Sequence, residues 1–306
     1  MSASGSTRAI MAALAANAGI AVAKFIGFLI TGSSSMLAES VHSVADTSNQ
    51  ALLLLGQRRA QKEATSLHQF GYGRSRFFYS FVVALVLFSL GAMFALYEGY
   101  HKIRHPEPLT SPVVAIVILV LAIGLETYSF RTAMVESKPL KGTGTWWQFI
   151  RRSRNPELPV VLLEDTGALL GLVFALVGVG MTVLTGNPIW DGIGTALIGA
   201  LLAVIAVILM IEMHSLLIGE GATGEELAAI QTALEQTEHV DRVIHLRTQY
   251  LGPEELLVGA KIALGPGTDL ATVAAAIDRA EAAVRAAVPA AQVIYLEPDL
   301  DRTVAR

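Results

Sequence analysis

TGSSSMLAESVHSVADTSNQALLLLG, residues 31–56, is a largely apolar stretch that carries Glu39, His42, Asp46 and Asn49. Ionisable groups inside a membrane span are expensive, so they usually serve a function and face other helices rather than lipid. His42 and Asp46 are four residues apart and therefore lie one above the other on a single helix face. An imidazole and a carboxylate so placed can bind one divalent cation between them, or they can form a structural link between helices.

The composition of the chain is that of a membrane protein. Of its 306 residues, 53% are hydrophobic and 16% are charged, whereas a soluble domain carries about 25% charged residues. The chain has no cysteine, which excludes disulfides, thiolate metal sites and cysteine nucleophiles. A net charge of −4 argues against a nucleic-acid partner. The N-terminal residues show neither a removable signal nor an Arg-rich organelle-targeting leader, so we expect the first apolar stretch to stay as a membrane anchor.

Six stretches are long enough to cross a bilayer core, which needs about 20 mostly apolar residues in a helix. They are residues 8–30, 34–56, 77–100, 111–135, 158–185 and 188–214. The loops at 57–76 and 136–157 are rich in Lys and Arg, and the positive-inside rule then places both loops and both termini in the cytoplasm. Trp146 and Trp147, in the second basic loop, predict a short interfacial helix or a loop on the inner leaflet.

From about residue 220 charges return, and the pattern becomes that of a soluble domain. It predicts a helix, two strands, a second helix and a third strand, at residues 223–237, 240–251, 255–264, 269–287 and 292–298. This α-β-β-α-β order predicts a compact α+β domain. The predicted division is therefore a six-helix transmembrane domain of residues 1–218 and a cytoplasmic α+β domain of residues 219–306.

The fifth span carries a second acidic pair, Glu164 and Asp165, near its start. Paired acids in an apolar span need a cation, a proton or a buried basic partner, unless they simply begin a helix at the interface. A site shared with span two collects His42, Asp46, Asp165 and Glu164, and this nitrogen-and-oxygen set suits Zn²⁺. Its oxygen content also suits Mn²⁺ or Fe²⁺. Because metal ligands must be deprotonated, protons and metal compete for the same groups, which predicts metal–proton exchange.

Among the other charged residues of the spans, three have two interpretations each. Glu126 and Asp191 either line the pathway or carry a proton, or they serve helix packing and capping. Lys24 either snorkels towards the interface or pairs with an acid.

With these residues in hand, the chain resembles the cation diffusion facilitator (CDF) family of metal transporters over nearly its whole length. The motifs are the His42-x-x-x-Asp46 pair, HQFGYGRSR at 68–76, LLEDTGALLG at 162–171 and TGNPIWDGIG at 185–194. The last two are most similar to the subgroup that contains the mitochondrial zinc transporter and its bacterial relatives. The resemblance implies a homodimer, proton-coupled efflux of a divalent metal, a four-ligand site shared by spans two and five, and a ferredoxin-like, metallochaperone-like cytoplasmic domain.

The fifth span departs from the family pattern at one position. The pattern has His or Asp four residues before Asp165, where this chain has Val161. We predict that Glu164, which shares a helix face with that position, replaces the missing ligand. Asn49, one turn beyond Asp46, is the alternative oxygen donor.

Two histidines outside the spans correspond to metal ligands of some relatives. His68 lies in the loop after span two and His245 lies in the tail, but Tyr72 and Lys261 stand where partner ligands are expected. The resemblance therefore implies incomplete sites at both histidines, and we expect the tail mainly to dimerise the protein.

The resulting hypothesis is a proton-coupled antiporter that exports a divalent cation, foremost Zn²⁺, from the cytoplasm by alternating access. Zinc, or Mn²⁺, Fe²⁺ or Co²⁺, is then the transported substrate, and no cofactor is expected. The alternatives are a transporter selective for Mn²⁺ or Fe²⁺ and a non-transporting metal-binding or regulatory membrane protein. A metallohydrolase needs a set such as His-Glu-x-x-His, which this sequence lacks, so an enzyme is not expected. The expected location is a bacterial inner membrane, in a multi-pass arrangement, with protons, the metal, the bilayer and a second copy as partners.

Overall fold

The computed structural model of the chain describes residues 3–32, 34–109, 111–265 and 267–300. The chain folds into two compact units. The first unit comprises Met1–Arg59 and Arg76–His214, and the second comprises Ala60–Ser75 and Ser215–Arg306. Residues 60–75, which connect two long helices of the first unit, therefore pack with the C-terminal unit.

Long helices build the first unit. They are α1 (Ala3–Thr31), α2 (Ser34–Ala60), α3 (Ser75–Val86), α4 (Phe94–Arg104), α5 (Pro112–Lys141), α6 (Trp146–Arg152), α7 (Glu157–Thr185) and α8 (Ile189–Ile218). A π-helical segment, Leu87–Met93, joins α3 to α4. The three pieces form one continuous helix of 30 residues, Ser75–Arg104.

Among the described residues, four helices are long and apolar enough to cross a membrane by length and composition. They are Ser75–Arg104, Pro112–Lys141, Glu157–Thr185 and Ile189–Ile218. The first helix contributes a shorter apolar stretch, Asn17–Thr31. The second helix falls outside this set because Glu39, His42 and Asp46 lower its hydropathy. A multi-helix membrane fold is thus supported, whereas the count of six spans stays a prediction.

Glycines bring α4 and α8 into close backbone contact. A methyl group added to Gly99 would lie 2.6 Å from the backbone nitrogen of Ala196. One added to Gly199 would lie 2.6 Å from the backbone nitrogen of Leu96. Small residues at such crossings let membrane helices approach closely, since packing rather than water exclusion drives their association.

The second basic loop of the sequence contains the short helix α6. Thr145 begins it with a capping box, in which the Thr145 hydroxyl accepts from Gln148 N–H at 3.2 Å and the Gln148 side chain accepts from Thr145 N–H at 2.9 Å. Phe149 is its buried residue, and Trp147 is exposed. The structure therefore contains a helix here, while its position at a membrane surface stays a prediction.

The second unit contains a three-stranded sheet with two helices. Its elements are α9 (Gly224–Glu235), β1 (Val240–Gly252), β2 (Glu255–Leu264), α10 (Leu270–Ala287) and β3 (Ala291–Asp299). β2 is the central strand, paired antiparallel with β1 and parallel with β3. The elements follow the predicted α-β-β-α-β order. The ferredoxin-like arrangement and the predicted boundary at residue 218 stay predictions.

Candidate metal centre

The pair predicted on α2 is present and buried. The Nε2 atom of His42 lies 3.5 Å from Oδ2 of Asp46, one helical turn further on. His42 is 1% exposed and Asp46 is 2% exposed. The separation of four residues places both side chains on one face, as the sequence pattern predicts.

The π-helical segment faces this histidine. A methyl group on Gly91, which lies within the segment, would be 4.0 Å from Nδ1 of His42. π-Helical turns inside α-helices are rare and occur frequently at functional sites. Gly91 thus keeps its own position beside the imidazole free of a side chain, between Leu87 and Leu202.

The two acids of α7 bond to different helices. Glu164 accepts a hydrogen bond of 2.6 Å from the Asn49 amide on α2. Asp165 accepts one of 3.2 Å from the Ser129 hydroxyl on α5. Both acids are 2% exposed. The polar groups of α2, α5 and α7 therefore converge in the interior of the first unit.

Lys24 pairs with an acid rather than snorkelling to a surface. Its Nζ atom lies 2.9 Å from Oε2 of Glu39 and 2.9 Å from the Ser43 hydroxyl, and both charged side chains are fully buried. Gly171 on α7 packs against the other carboxylate oxygen, since a methyl group there would approach Oε1 of Glu39 to 2.6 Å. This ion pair neutralises one acid of α2 with a cation from α1.

Glu126 is a further buried acid at the centre of α5. It is 1% exposed, and within the described part of the chain neither carboxylate oxygen has a hydrogen-bond partner. Its charge acts on Asp46, Glu164 and Asp165, so it lies close to the predicted ligands. Ser129, one turn along the same face, holds Asp165. Glu126 therefore adjoins the candidate site. This position is compatible with the prediction that Glu126 lines the transport pathway.

Asp191, the other acid of uncertain role, lies in the first turn of α8. It is fully buried, and the Thr195 hydroxyl donates to its backbone oxygen at 2.9 Å. An acid in the first turn is favoured by the helix dipole, which agrees with the capping interpretation.

One ion pair of the first unit had no signal in the sequence. Arg76, at the start of α3, donates to both carboxylate oxygens of Glu157, at the start of α7, at 2.5 Å and 2.9 Å. Both side chains are buried. A planar guanidinium matches a carboxylate in this two-bond geometry. The pair could have been sought as a basic and an acidic residue that begin two apolar helices, but their separation of 81 residues hides it.

Several polar atoms of the candidate ligands lack hydrogen-bond partners within the described part of the chain. They are both ring nitrogens of His42, Oδ1 of Asp46, Oδ1 of Asn49 and Oε2 of Glu164. An unpaired polar group in an apolar interior costs several kcal/mol. These atoms are free to receive a proton or a cation.

The predicted ligands lie in separate pairs and do not surround a single point as the ligands of one metal ion do. In residues 3–32, 34–109, 111–265 and 267–300, no three His, Asp or Glu residues are arranged to hold one metal ion. The structure brings His42 to Asp46 and Asn49 to Glu164. The four-ligand set of the sequence stays a prediction. Val161 is buried one turn before Asp165 and supplies no ligand atom.

His68 and His245, both in the second unit, lie in no ligand cluster among the residues that the structure describes. His68 is exposed and packs edge-on against Tyr72, with ring centres 4.6 Å apart. His245 is exposed on β1, opposite Lys261 of β2. The Lys261 ammonium lies 2.9 Å from Glu297 and 3.0 Å from Asp299 on β3, so these two acids already have a cation.

Residues 10–218 match the family described as the cation efflux transmembrane domain. The chain is 33% identical to the proton-coupled zinc antiporter SLC30A9, mitochondrial, of Mus musculus, over 244 residues that make up 79% of this chain and 43% of the mouse protein. It is 30% identical to metal tolerance protein C4 of Arabidopsis thaliana, over 84% of this chain and 57% of that protein. The matched region therefore spans only about half the length of these relatives.

The comparisons correct one expectation. The sequence analysis predicted that the protein lies in a bacterial inner membrane, with both termini in the cytoplasm. The relatives from mouse and human, at 33% and 32% identity, are named as mitochondrial proteins. The bacterial location is therefore wrong, while a multi-pass membrane arrangement is supported by the family match and the apolar helices.

Proposed function

We propose that this chain, which belongs to the cation efflux family, carries Zn²⁺ across a mitochondrial membrane in exchange for protons. Family membership confirms that the protein is a transporter of metal cations rather than an enzyme. The metal is its substrate and not a resident cofactor. Zinc, the proton coupling and the mitochondrial membrane come from the names of the relatives, and for this chain they are proposals.

One observation carries the proposal. Unpaired nitrogen and oxygen atoms of His42, Asp46 and Glu164 are buried in the helical unit, on two helices joined by the bond from Asn49 to Glu164. Without a partner these atoms destabilise the fold. A divalent cation or protons would supply that partner, so the interior is suited to alternate between the two.

The chemistry of the donors favours zinc with a relaxed selectivity. His42 offers an imidazole nitrogen, while Asp46, Asp165 and Glu164 offer oxygens. Zn²⁺ accepts nitrogen and carboxylate ligands in tetrahedral sites. Because three of these four donors are carboxylates, Mn²⁺ or Fe²⁺ is the runner-up substrate.

Exchange for protons follows from competition for the same atoms. A carboxylate or imidazole binds metal when it is deprotonated, so each metal that enters displaces protons and each proton that returns weakens the site. Glu126 adds another acid close to the ligands. Lys24 and Glu39 balance each other by a direct ion pair and need no metal.

The proposal includes six membrane spans, formed by α1, α2, the continuous helix of α3 and α4, α5, α7 and α8, and a homodimer. Four of these helices have the length and composition of spans. α1 and α2 join them because four polar residues within their apolar stretches are buried: Asn17, Lys24, Glu39 and His42. The second unit then dimerises the chain.

The test is flux of Zn²⁺, Mn²⁺, Fe²⁺ and Co²⁺ into proteoliposomes under an imposed pH gradient. Asp46→Ala and Asp165→Ala should abolish flux of every metal, because each removes a carboxylate from the shared site. Glu136→Ala, which changes an exposed acid of α5, is the matched control and should transport normally. Full flux in either aspartate variant would reject the site.

A non-transporting metal-binding protein is the second candidate. The observation in its favour is that the described residues hold the ligands as pairs, with no group of three ready for a metal. This alternative predicts that the wild-type protein binds zinc but gives no flux with or without a pH gradient. Zinc flux that stops when the gradient is collapsed would exclude it.

A further inference from the structure

The end of α4 carries two histidines that no motif of the metal centre includes: His101 lies in its last turn, and His105 directly follows its last residue, Arg104. His101 and His105 are four residues apart, and their ring centres are 5.0 Å apart with an angle of 33° between the ring planes. Both residues are exposed. The His105 N–H donates to the His101 carbonyl at 2.8 Å. The helical turn is thus closed between them, and it fixes their relative position.

This spacing matches two imidazoles on a single metal ion. In tetrahedral zinc sites each ring nitrogen lies at about 2.0–2.1 Å from the metal, which puts the centres of two bound rings on the order of 5 Å apart. His105 lies one residue beyond the helix, so the pair rests on the measured ring separation of 5.0 Å rather than on a shared helix face. His101 and His105 therefore reach the required separation without a change in the backbone.

The cationic side chains of the same turn have other partners. The ammonium of Lys102 is buried and lies 3.8 Å from Glu107. The guanidinium of Arg104 lies over the Tyr100 ring, 5.6 Å from its centre. The turn also ends the helix, where the helix dipole favours a positive charge. The two neighbouring cations are thus directed at other groups, and the helix dipole favours a cation at this end of α4.

The packing of α4 places the two histidines at one end of the helical unit, which we call its mouth. A methyl group on Gly192, in the first turn of α8, would lie 3.0 Å from the backbone nitrogen of Ile103. The last turn of α4 is therefore packed on the beginning of α8. This is the opposite end of the unit from the basic C-terminal turn of α2, which carries Arg58 and Arg59.

We propose that His101 and His105 form a second, peripheral binding site for a divalent transition metal, at the mouth of the helical unit opposite the basic end of α2. Imidazole pairs suit Zn²⁺, Co²⁺, Ni²⁺ and Cu²⁺. Two protein ligands leave the remaining positions to water, so the site binds metal exchangeably. Its use as a station for the transported metal rests on the proposed function, whereas binding itself does not.

The test measures metal binding apart from transport. The full-length protein is purified with Asp46→Ala and Asp165→Ala, which removes the intramembrane site, and is titrated with Co²⁺ while the visible absorption of the bound ion is recorded. The expected result is about one bound Co²⁺ per chain with nitrogen ligands. Adding His101→Asn and His105→Asn should remove this signal, whereas His214→Asn, a change at an exposed histidine of α8, should keep it.

Two outcomes overturn the site: an unchanged cobalt signal in the His101→Asn, His105→Asn protein, or no signal in its parent. Because aromatic packing alone can also produce a 5 Å ring separation, the metal-specific absorption is the deciding measurement. The role in transport is tested separately in the protein with its intramembrane ligands intact. There the double histidine variant should raise the zinc concentration for half-maximal flux and leave the maximal rate unchanged. Failure of all transport would reject the proposed function but would leave the cobalt result valid.

Discussion

The side-chain amide of Asn49 donates a hydrogen bond of 2.6 Å to Oε1 of Glu164, across a sequence separation of 115 residues. This bond joins the two halves of the candidate metal centre, since Asn49 lies one turn beyond Asp46 and Glu164 precedes Asp165. It also gives Asn49 a role in addition to the predicted one of an oxygen donor. Its amide nitrogen orients Glu164, while its Oδ1 atom remains without a partner in the described part of the chain.

Replacing Asn49 with Ala should lower the affinity for zinc and weaken the fold together. The change leaves both oxygens of a buried carboxylate without a donor, which costs about 1–3 kcal/mol in soluble proteins. Zinc flux against concentration and thermal unfolding in detergent measure the two effects. Ser48→Ala on the same helix is the control, because the exposed Ser48 hydroxyl bonds only back to its own helix at Val44. Equal behaviour of the two variants would contradict the role of this bond.

Glu126→Gln should reduce zinc flux while leaving the amount of folded protein unchanged. Glutamine keeps the shape of the side chain but removes an ionisable carboxyl group close to Asp46, Glu164 and Asp165. We expect a loss of about tenfold in flux at limiting zinc, on the order of 1.4 kcal/mol. Glu136→Gln, at an exposed position of α5, provides the comparison. Wild-type flux in the Glu126 variant would assign this acid to packing.

Gly99→Ala should destabilise the helical unit by about 1–3 kcal/mol, the usual cost of overpacking. The new methyl would lie 2.6 Å from the nitrogen and 2.9 Å from the Cα of Ala196, and backbone atoms cannot rotate away. Gly124→Ala is the matched control, because nothing lies within 4 Å of the methyl it adds. Thermal unfolding of both proteins in the same detergent compares them. Equal midpoints would show that α4 and α8 can separate at no cost.

Arg76→Lys should destabilise the first unit less than Arg76→Ala but clearly more than Arg74→Lys. Lysine keeps the charge beside Glu157 but cannot reproduce both bonds of the guanidinium. Alanine strands a buried carboxylate, which costs about 3–5 kcal/mol. Arg74 is exposed, so its replacement by lysine is the control. Denaturant unfolding checks the order of the three, and an equal effect of both lysine variants would disprove a structural role for the Arg76 pair.

The cap of α10 gives a prediction about pH. The Thr272 N–H donates to Asp269 at 2.8 Å, and this bond lowers the pKa of Asp269 from its ordinary value of 3.8. A depressed pKa in the folded state means that the carboxylate stabilises the fold above the ordinary value, and that this contribution is lost as the pH falls through the lowered one. The NMR shift of the Thr272 amide should therefore titrate with a midpoint below 3.8. Asp269→Asn should abolish that titration, and a midpoint above the ordinary value would contradict the cap.

Local patterns in the sequence were sufficient for several helices and strands and for the placement of His42 and Asp46 on one helix face. The run of apolar residues after Pro112 marks α5 because a membrane span needs a set length. The spacing of four between His42 and Asp46 is enough to place them on one face, since that geometry belongs to a single helix. Thr223 and Asp269 have the side chains that cap helices, and both do so.

Contacts between distant residues could not be predicted in the same way. Lys24 was expected either to snorkel or to pair, and Glu39 was identified as its partner by the packing of α1 on α2. The bonds from Asn49 to Glu164 and from Ser129 to Asp165 depend on how α2 and α5 meet α7. The spacing of apolar residues within one helix does not determine which residues of two different helices face each other. The π-helical segment has no local signal either, because its residues would also form an ordinary α-helix.

The π-helical segment makes the 30-residue helix adjustable along its length. Its backbone bonds run from residue i to residue i+5, so the segment accommodates one extra residue, and a transfer of that residue to the neighbouring turn would keep the backbone bonded. Each residue that passes through such a transfer would turn by about 100° and move by about 1.5 Å along the axis. A shift of one position would replace Gly91 by the side chain of Leu90 or Ala92 in front of His42. That side chain would fill the space beside the imidazole, and the reverse shift would empty it, while the helix stays intact from Ser75 to Arg104.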